Sequence, residues 1–427
     1  MSRAPKRIAG SGHGIQAAVQ GAPLTASGKA TLWAVALLIV SSAVHAVDLW
    51  TPGLLDRSGR LKASDYMRLY ATGALADEGR WTELFDADAH VRIARARIDP
   101  RLQMSGLRPN YGPTAALLLA PLSRLPLLGS WALFMAATCG ALLIGLWLLA
   151  GESPGLRHHR GLAVLAAAAS PALFETLRYG QLSAVTTLAF AAGAWLDSRG
   201  RPLAAGMVVG LAFYKPNLVL PALLIGLASR RWAFAAGLTL GITVHLAIGL
   251  GGGGLETTWE WFKVLGVLAR SPHLVQGFPA EVHSFQGMFR LASVGPPLLP
   301  ILTAVSALAA MALAAFVWAA GTRAPARWAA LVLATLLASP HLLTYDLLLL
   351  LIPLMLTFEP AATARRWRTW TLLAALLYLA PLYSPAVAEF TRLQLSTVSM
   401  AALLWWLWSG RGPAVQPASS SSPSINS

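Results

Sequence analysis

The chain has 427 residues, 56% of them hydrophobic and only 12% charged, with a formal net charge of +15. Ordinary soluble domains carry about 25% charged residues, so a soluble enzyme of two or three domains is excluded, and the lack of alternating apolar and polar residues excludes a membrane barrel. The basic residues sit in short clusters between apolar blocks, a pattern of membrane topology and not of nucleic-acid binding.

In chain order, Arg3, Lys6, Arg7 and Lys29 precede an apolar run at 31–47, and no A-x-A-like cleavage site follows it. This predicts a retained first helix behind a cytoplasmic segment 1–30, not a signal peptide. Apolar blocks fall near 31–49, 113–150, 161–177, 182–197, 203–216, 217–229, 232–252, 296–320, 327–340, 343–358, 370–383 and 394–409. A spanning helix needs roughly 17–25 residues, and several blocks are shorter. Block 113–150 is too long for one span and is broken by Pro121 and Pro126. That predicts a short embedded or interfacial helix ahead of a span starting near 129. The pattern as a whole predicts an all-α polytopic membrane domain over 31–410 with about twelve transmembrane helices. The single cysteine, Cys139, rules out an internal disulfide and a Cys-based zinc site. The Ser/Pro-rich stretch 411–427 is expected to be a disordered tail.

With the N-terminus in the cytoplasm, alternation places Arg157–Arg160, Arg199–Arg201, Arg230–Arg231, Arg323–Arg327, Arg365–Arg368 and Arg411 all inside. This is the distribution that basic short loops favour. The same alternation carries loop 50–110, loop 253–285, Arg178, Lys215 and His341 to the outer face.

Loop 50–110, with Asp48 at its edge, holds nine of the eighteen acids. Most of them, among Asp56, Asp77, Glu78, Glu83, Asp86, Asp88 and Asp99, read as solvated residues on amphipathic helices at the membrane surface. Ser64–Glu78 predicts a helix capped by Ser64, with Tyr66, Leu69, Tyr70 and Gly73 on one face. Asp65 falls in its first turn, where the helix dipole favours a carboxylate. It is either a helix-start residue or a general base. Asn110, Tyr111, Gly112 and Pro113 mark a turn back to the membrane.

Arg178, Tyr179, Gly180 and Gln181 interrupt one apolar stretch, and Lys215, Pro216 and Asn217 interrupt another. A charge inside a span marks a functional site or snorkels to the interface. The discontinuities at Gly180 and Pro216 favour broken helices around a polar cavity. The 253–285 loop, with Gly251–Gly254 at its start and "HSFQGMFRL" at its end, reads as a flexible connector. Its glycines lack the Lys-Ser/Thr of a phosphate loop. Ser339, Pro340, His341, Tyr345 and Asp346 form a third polar knot, either a capped turn or a contact for a substrate hydroxyl or phosphate. Nothing in its spacing makes a metal site. These features fit a membrane enzyme, a transporter or flippase of a lipid-linked or anionic substrate, or a scaffold. The missing two-half repeat and the acidic first loop favour the enzyme.

Four segments resemble glycosyltransferase family 87, membrane enzymes of the C-type glycosyltransferase fold. They are "ASDYMRLYATGALADEGRWTELFD", "NYGPTAALLLAPLSRLP", "GQLSAVTTLAFAAGAWLDSRGRPLAAGMVVGLAFYKPNLVLP" and "SPHLLTYDLLLLLIPL", in order between Ala63 and Leu354. Gly112 stands where the family often has Pro, and Ser183 where some members have Asn. The resemblance implies transfer of mannose or another hexose from a polyprenyl-phosphate donor to a glycan or glycolipid acceptor at the outer face. It implies an acidic base in the first outer loop, at the position of Asp65. Tyr66, Tyr111, Arg178, Gln181, Lys215, Asn217, His341, Tyr345 and Asp346 are then expected to bind substrate, with Arg178 and Lys215 on the phosphate. One base and no protein nucleophile predict inversion at the anomeric carbon. No cofactor or metal is expected, and the bilayer is the implied partner. Heavy use of Ala, Leu and Arg is that of a GC-rich bacterium. That predicts an inner-membrane location, cytoplasmic termini and a periplasmic active site.

Overall fold

The computed structural model describes residues 26–57, 62–102, 109–153, 155–157, 159–270, 279–358 and 363–410. The expected cytoplasmic segment, apart from the start of the first helix, and the tail 411–427 lie outside the described residues, as does the side chain of Asp48. Among the described residues the regular elements are all helices. In order they are α1 (Ala26–Leu49), α2 (Ser64–Asp77), α3 (Ala87–Arg97), α4 (Pro113–Ser123), α5 (Leu127–Glu152), α6 (Arg160–Ala168), α7 (Pro171–Tyr179), α8 (Ser183–Ser198) and α9 (Pro202–Leu211). There follow α10 (Pro216–Ala228), α11 (Trp232–Arg270), α12 (Phe285–Leu291), α13 (Leu298–Ala319) and α14 (Ala324–Ala338). A 3₁₀-helix (Thr344–Leu350) then leads into α15 (Leu351–Leu356), α16 (Ala364–Thr391) and α17 (Leu395–Ser409).

Four of these, α5, α11, α13 and α16, are long and apolar enough to cross a membrane. Seven further apolar helical runs are 10–17 residues long. A bilayer core of about 30 Å needs about 20 helical residues. Together the apolar helices make this a membrane protein, and among the described residues four helices, fewer than the twelve expected, are full-length spans. Proline explains several of the short pieces. Pro171, Pro202 and Pro216 sit at first helical positions, where a missing N–H costs nothing. The expected block 161–177 is therefore two helices, α6 and α7, and block 113–150 divides at Arg124–Pro126 into α4 and α5.

The first polar loop is more deeply built in than expected. Ten of the fourteen residues of α2 are buried, among them Tyr66, Leu69, Tyr70 and Gly73. Gly73 lets α2 close onto α4, where a Cβ would meet the Leu119 carbonyl oxygen at 2.6 Å. So α2 is a core helix, not a helix lying on the membrane surface; α3, with Ala89, His90, Ile93 and Ala94 buried on one side, keeps the amphipathic form. Ser64 does not cap α2: the helix begins at Ser64 itself, and the preceding Ala63 takes a left-handed conformation (φ 49°). Five of the loop's acids are paired at the surface: Asp77 with Arg124, Glu78 with Arg80 and Arg97, Glu83 with Arg80 and Arg92, Asp86 with Arg92, and Asp99 with Arg101.

The expected connector 253–285 is also corrected. Helix α11 runs on to Arg270 and breaks only at Gly254, where φ is 76° and ψ 175°, a conformation open to glycine alone. Its first half crosses α9 through two glycine pairs, Gly206 and Gly210 against Gly237 and Gly241. A Cβ at any of the four would run into the other helix's backbone. Four-residue spacing of small residues is how membrane helices approach closely. The basic turns gather at one end of the bundle: Arg199 pairs with Glu152 at 2.7 Å, Arg327 with Asp197 at 2.8 Å, and Arg231 donates to the Trp318 carbonyl at 3.0 Å. Gln181 and Lys215 precede the opposite ends of α8 and α10, so the polar knots lie away from those turns.

Candidate active site

Two polar groups meet at that opposite end. The first is built on Asp65, in the first turn of α2. Its Oδ1 lies 3.3 Å from Arg68 Nη1, one turn on, and its Oδ2 accepts a 2.5 Å hydrogen bond from Gln181 Nε2. The other end of the Gln181 amide is also taken, since Tyr111 Oη donates to Gln181 Oε1 at 2.6 Å. Gln181 is aimed by Gly180, which ends α7 in a left-handed conformation (φ 71°). The N–H groups of Gly180 and Gln181 then turn back to the Thr176 carbonyl at 3.0 and 2.9 Å. A side chain at position 180 would also strike Tyr66, so glycine is what lets the end of α7 rest on the start of α2.

The second group lines a cavity of about 310 Å³. Its floor is Lys215, held in the turn between α9 and α10. The Lys215 ammonium pairs with Asp346 and donates to Ser183 Oγ at 3.0 Å, while Ser183 Oγ donates to Asp346 Oδ1 at 2.8 Å. Asn217 Nδ2 donates to Ser339 Oγ at 2.8 Å and to the His341 carbonyl at 3.2 Å, which ties α10 to the 339–341 turn. Tyr111, Tyr345 and His341 complete the polar side, and among the described residues His341 Nδ1 has no hydrogen-bond partner. The opposite wall is apolar: Phe213 and Leu220, with Phe262, Leu265, Leu268 and Ala269 from the second half of α11. Leu220 and Phe262 are 45% and 37% exposed, so this wall opens onto the apolar outside of the bundle. Trp261 anchors the wall by donating to the Asn110 carbonyl at 3.1 Å. Gly112 makes room for that indole, because a Cβ there would lie 2.7 Å from the ring.

The two groups adjoin. Tyr111 belongs to both, and the charges of Asp65 and Asp346 both act on Tyr111, Tyr345 and His341. Of the expected site residues, Asp65, Tyr111, Gln181, Lys215, Asn217, His341, Tyr345 and Asp346 therefore come together. Two do not. Tyr66 is fully buried behind Asp65, its hydroxyl sharing a 2.5 Å hydrogen bond with Ser130 and its ring against Phe134. Burial pushes its phenol up to about 12. Arg178 lines a separate groove with Ala43, Val44, Val47 and Arg57, and its guanidinium bonds to the buried Asp56 carboxylate at 3.1 Å. Asp56, read from sequence among the solvated acids, is instead buried in a pair with Arg178.

Sequence reasoning passed over three contributors. Arg68 has the i, i+3 spacing to Asp65 that gives it away. Ser183 bridges Lys215 and Asp346 from the start of α8. His283, fully buried, braces the 342–346 segment: its N–H donates to the Leu342 carbonyl at 2.9 Å, and its ring meets Ser396 Oγ at 2.8 Å and Thr344 Oγ1 at 3.2 Å. Burial pushes its imidazole down to about 3, so it acts as a neutral strut. Among the described residues no three of His, Cys, Asp or Glu converge as a metal site.

A family model described as glycosyltransferase family 87 matches residues 110–340, more than half of the chain. The match takes in Tyr111, Gln181 and Lys215 and stops short of Asp65, His341, Tyr345 and Asp346. No curated protein and no solved structure matches the chain.

Proposed function

This chain belongs to glycosyltransferase family 87, and we propose that it moves mannose or another hexose from a polyprenyl-phosphate donor to a glycan or glycolipid acceptor. In this reading it sits in the inner membrane of a bacterium with both termini in the cytoplasm. The shorter apolar helices complete about twelve crossings, and the site faces the periplasm. A transfer enzyme takes the place of the transporter reading.

The observation that carries the donor class is the two-sided cavity. A lipid-linked sugar has a polar head and an apolar chain. The cavity offers Lys215, Asn217 and His341 on one side and an apolar wall open to the outside of the bundle on the other. Pockets built this way orient a ligand through a few polar groups. The acceptor oxygen attacks the anomeric carbon while the bond from that carbon to the phosphate oxygen breaks. The phosphate gains a negative charge as it leaves, and Lys215 with the neighbouring hydrogen-bond donors stabilises it in a site shielded from water. Asp65 takes the proton from the attacking hydroxyl, a contribution of roughly 10²–10⁴-fold. One displacement with one base inverts the anomeric configuration. Arg178 is left out of this step, because its carboxylate partner holds it in the other groove.

The test is to incubate the purified protein with radiolabelled polyprenyl-phosphate hexoses and membrane lipid extract. The reading expects sugar to leave the polyprenyl lipid and appear on an acceptor with the opposite anomeric configuration. Transfer from nucleotide sugars but from no polyprenyl-phosphate sugar would contradict it.

A further inference from the structure

We propose that Gln181 is a positioning residue, braced by Tyr111, whose amide occupies Asp65 Oδ2 and leaves Oδ1 as the oxygen that receives the acceptor's proton. This rests on the reading of Asp65 as the base.

An amide can face a carboxylate with either end. Facing with its oxygen it repels the anion; facing with its N–H it stabilises it. Nothing in the Gln181 side chain alone chooses between them. The ionised Asp65 carboxylate, which only accepts, takes the N–H end, and Tyr111 reinforces that choice, because its buried hydroxyl keeps Gln181 Oε1 as an acceptor at 2.6 Å only in this orientation. Gln181 and Tyr111 are both buried, at 4% and 8% exposure, so water does not replace either bond freely. The backbone of Gln181 is pinned by the turn at Gly180. The result is a rigid chain from the cavity wall, where Tyr111 sits, to the carboxylate.

The two oxygens of Asp65 thereby differ. Oδ2 holds a short bond to Gln181, whereas Oδ1 has a looser contact, 3.3 Å from Arg68. Oδ1, which holds no short hydrogen bond, is the more available of the two. The proton moves from the acceptor hydroxyl to Oδ1 as the oxygen bonds to the anomeric carbon and the electron pair of the breaking bond goes to the phosphate. The charged and titratable groups facing Asp65 are Arg68 on its own helix, Tyr111 ahead of α4, and His341 and Tyr345 from the segment after α14.

The experiment compares pH profiles of transfer from radiolabelled polyprenyl-phosphate hexose for wild type, Gln181→Met and Tyr111→Phe, with Asp65→Asn as reference. Met keeps the length of Gln and removes its donor; Phe keeps the ring and removes the hydroxyl. A lost hydrogen bond to a carboxylate moves the acid limb of the kcat profile up by about one pH unit. That shift is expected in Gln181→Met, and a smaller one in the same direction in Tyr111→Phe, where the amide loses the bond that braces it. Donor KM should stay within about two-fold in Gln181→Met, since Gln181 is not part of the cavity lining. A purely structural Gln181 would lower the melting temperature and leave the profile in place, and that result overturns the proposal. Should Gln181→Met not fold, the Tyr111→Phe profile decides by the same criterion. The failures are separable. Activity in Asp65→Asn removes the base and this proposal with it, whereas an inactive Asp65→Asn with unmoved profiles removes this proposal alone.

Discussion

Lys215 and Asp346, 131 residues apart in sequence, form an ion pair at the floor of the cavity. Their side chains are only 8% and 4% exposed. A lysine read from sequence as a phosphate contact is thus already balanced by a carboxylate. In the proposed transfer it offers an N–H from a fixed position, not an unopposed charge.

Removing one partner leaves the other charge buried, which costs about 3–5 kcal/mol. Lys215→Ala is therefore expected to lower the melting temperature and to weaken donor use roughly 10- to 100-fold, the worth of a charge-assisted hydrogen bond. The double variant Lys215→Met with Asp346→Leu should regain stability without regaining donor use. Donor titration curves for Lys215→Ala that overlay wild type would return Lys215 to a purely structural role.

Arg178 makes the opposite case. It bonds to Asp56, whose side chain is 3% exposed, and lines a groove separate from the cavity. Arg178→Ala should cost stability, about 1–3 kcal/mol for a buried polar partner lost, with donor KM unchanged. A rise in donor KM at constant melting temperature would place Arg178 on the substrate after all.

These two residues show what the sequence could and could not tell. The breaks at Gly180 and at Lys215–Pro216 were legible because glycine and proline punctuate helices locally. The buried face of α2 was legible from helical spacing. Its start at Ser64 was legible too, but not its cap, because a left-handed Ala63 has no local signature. Nor was the partner of either cation: Asp56 and Asp346 lie 122 and 131 residues away, and only the tertiary fold pairs them. The second half of α11 was hidden by four glycines that suggest a loop, of which only Gly254 leaves the helical conformation.

The crossing of α9 and α11 depends on having no side chain at Gly206, Gly210, Gly237 and Gly241. Gly237→Leu should force the helices apart at a cost of about 1–3 kcal/mol or more. We expect a lower melting temperature and loss of monodisperse protein in detergent. A variant that melts with wild type would show that the crossing is looser than this packing implies.

The surface pairs of the first loop predict a pH dependence. Arg80, with Arg92 beside it, holds the Glu83 carboxyl down to about 2. A depressed carboxyl stabilises the fold above its ordinary value near 4.5 and loses that contribution as pH falls through about 2. Amide exchange across 78–97 should thus accelerate, after correction for intrinsic rates, between about pH 4.5 and pH 2. High salt at neutral pH should produce a milder form of the same change. Protection that stays constant over that range would show that the network does not hold the loop.

We propose Asp65 as the base of a lipid-donor glycosyl transfer. The most direct measurement is the single-turnover rate of sugar transfer from polyprenyl-phosphate hexose by purified wild type and Asp65→Asn, with insertion and melting temperature checked in both. Asn keeps the size of the side chain and a hydrogen-bonding oxygen but cannot take the proton. A loss of roughly 10²-fold or more is expected in a protein that still folds and binds donor. An Asp65→Asn enzyme that folds and transfers sugar at the wild-type rate would contradict it.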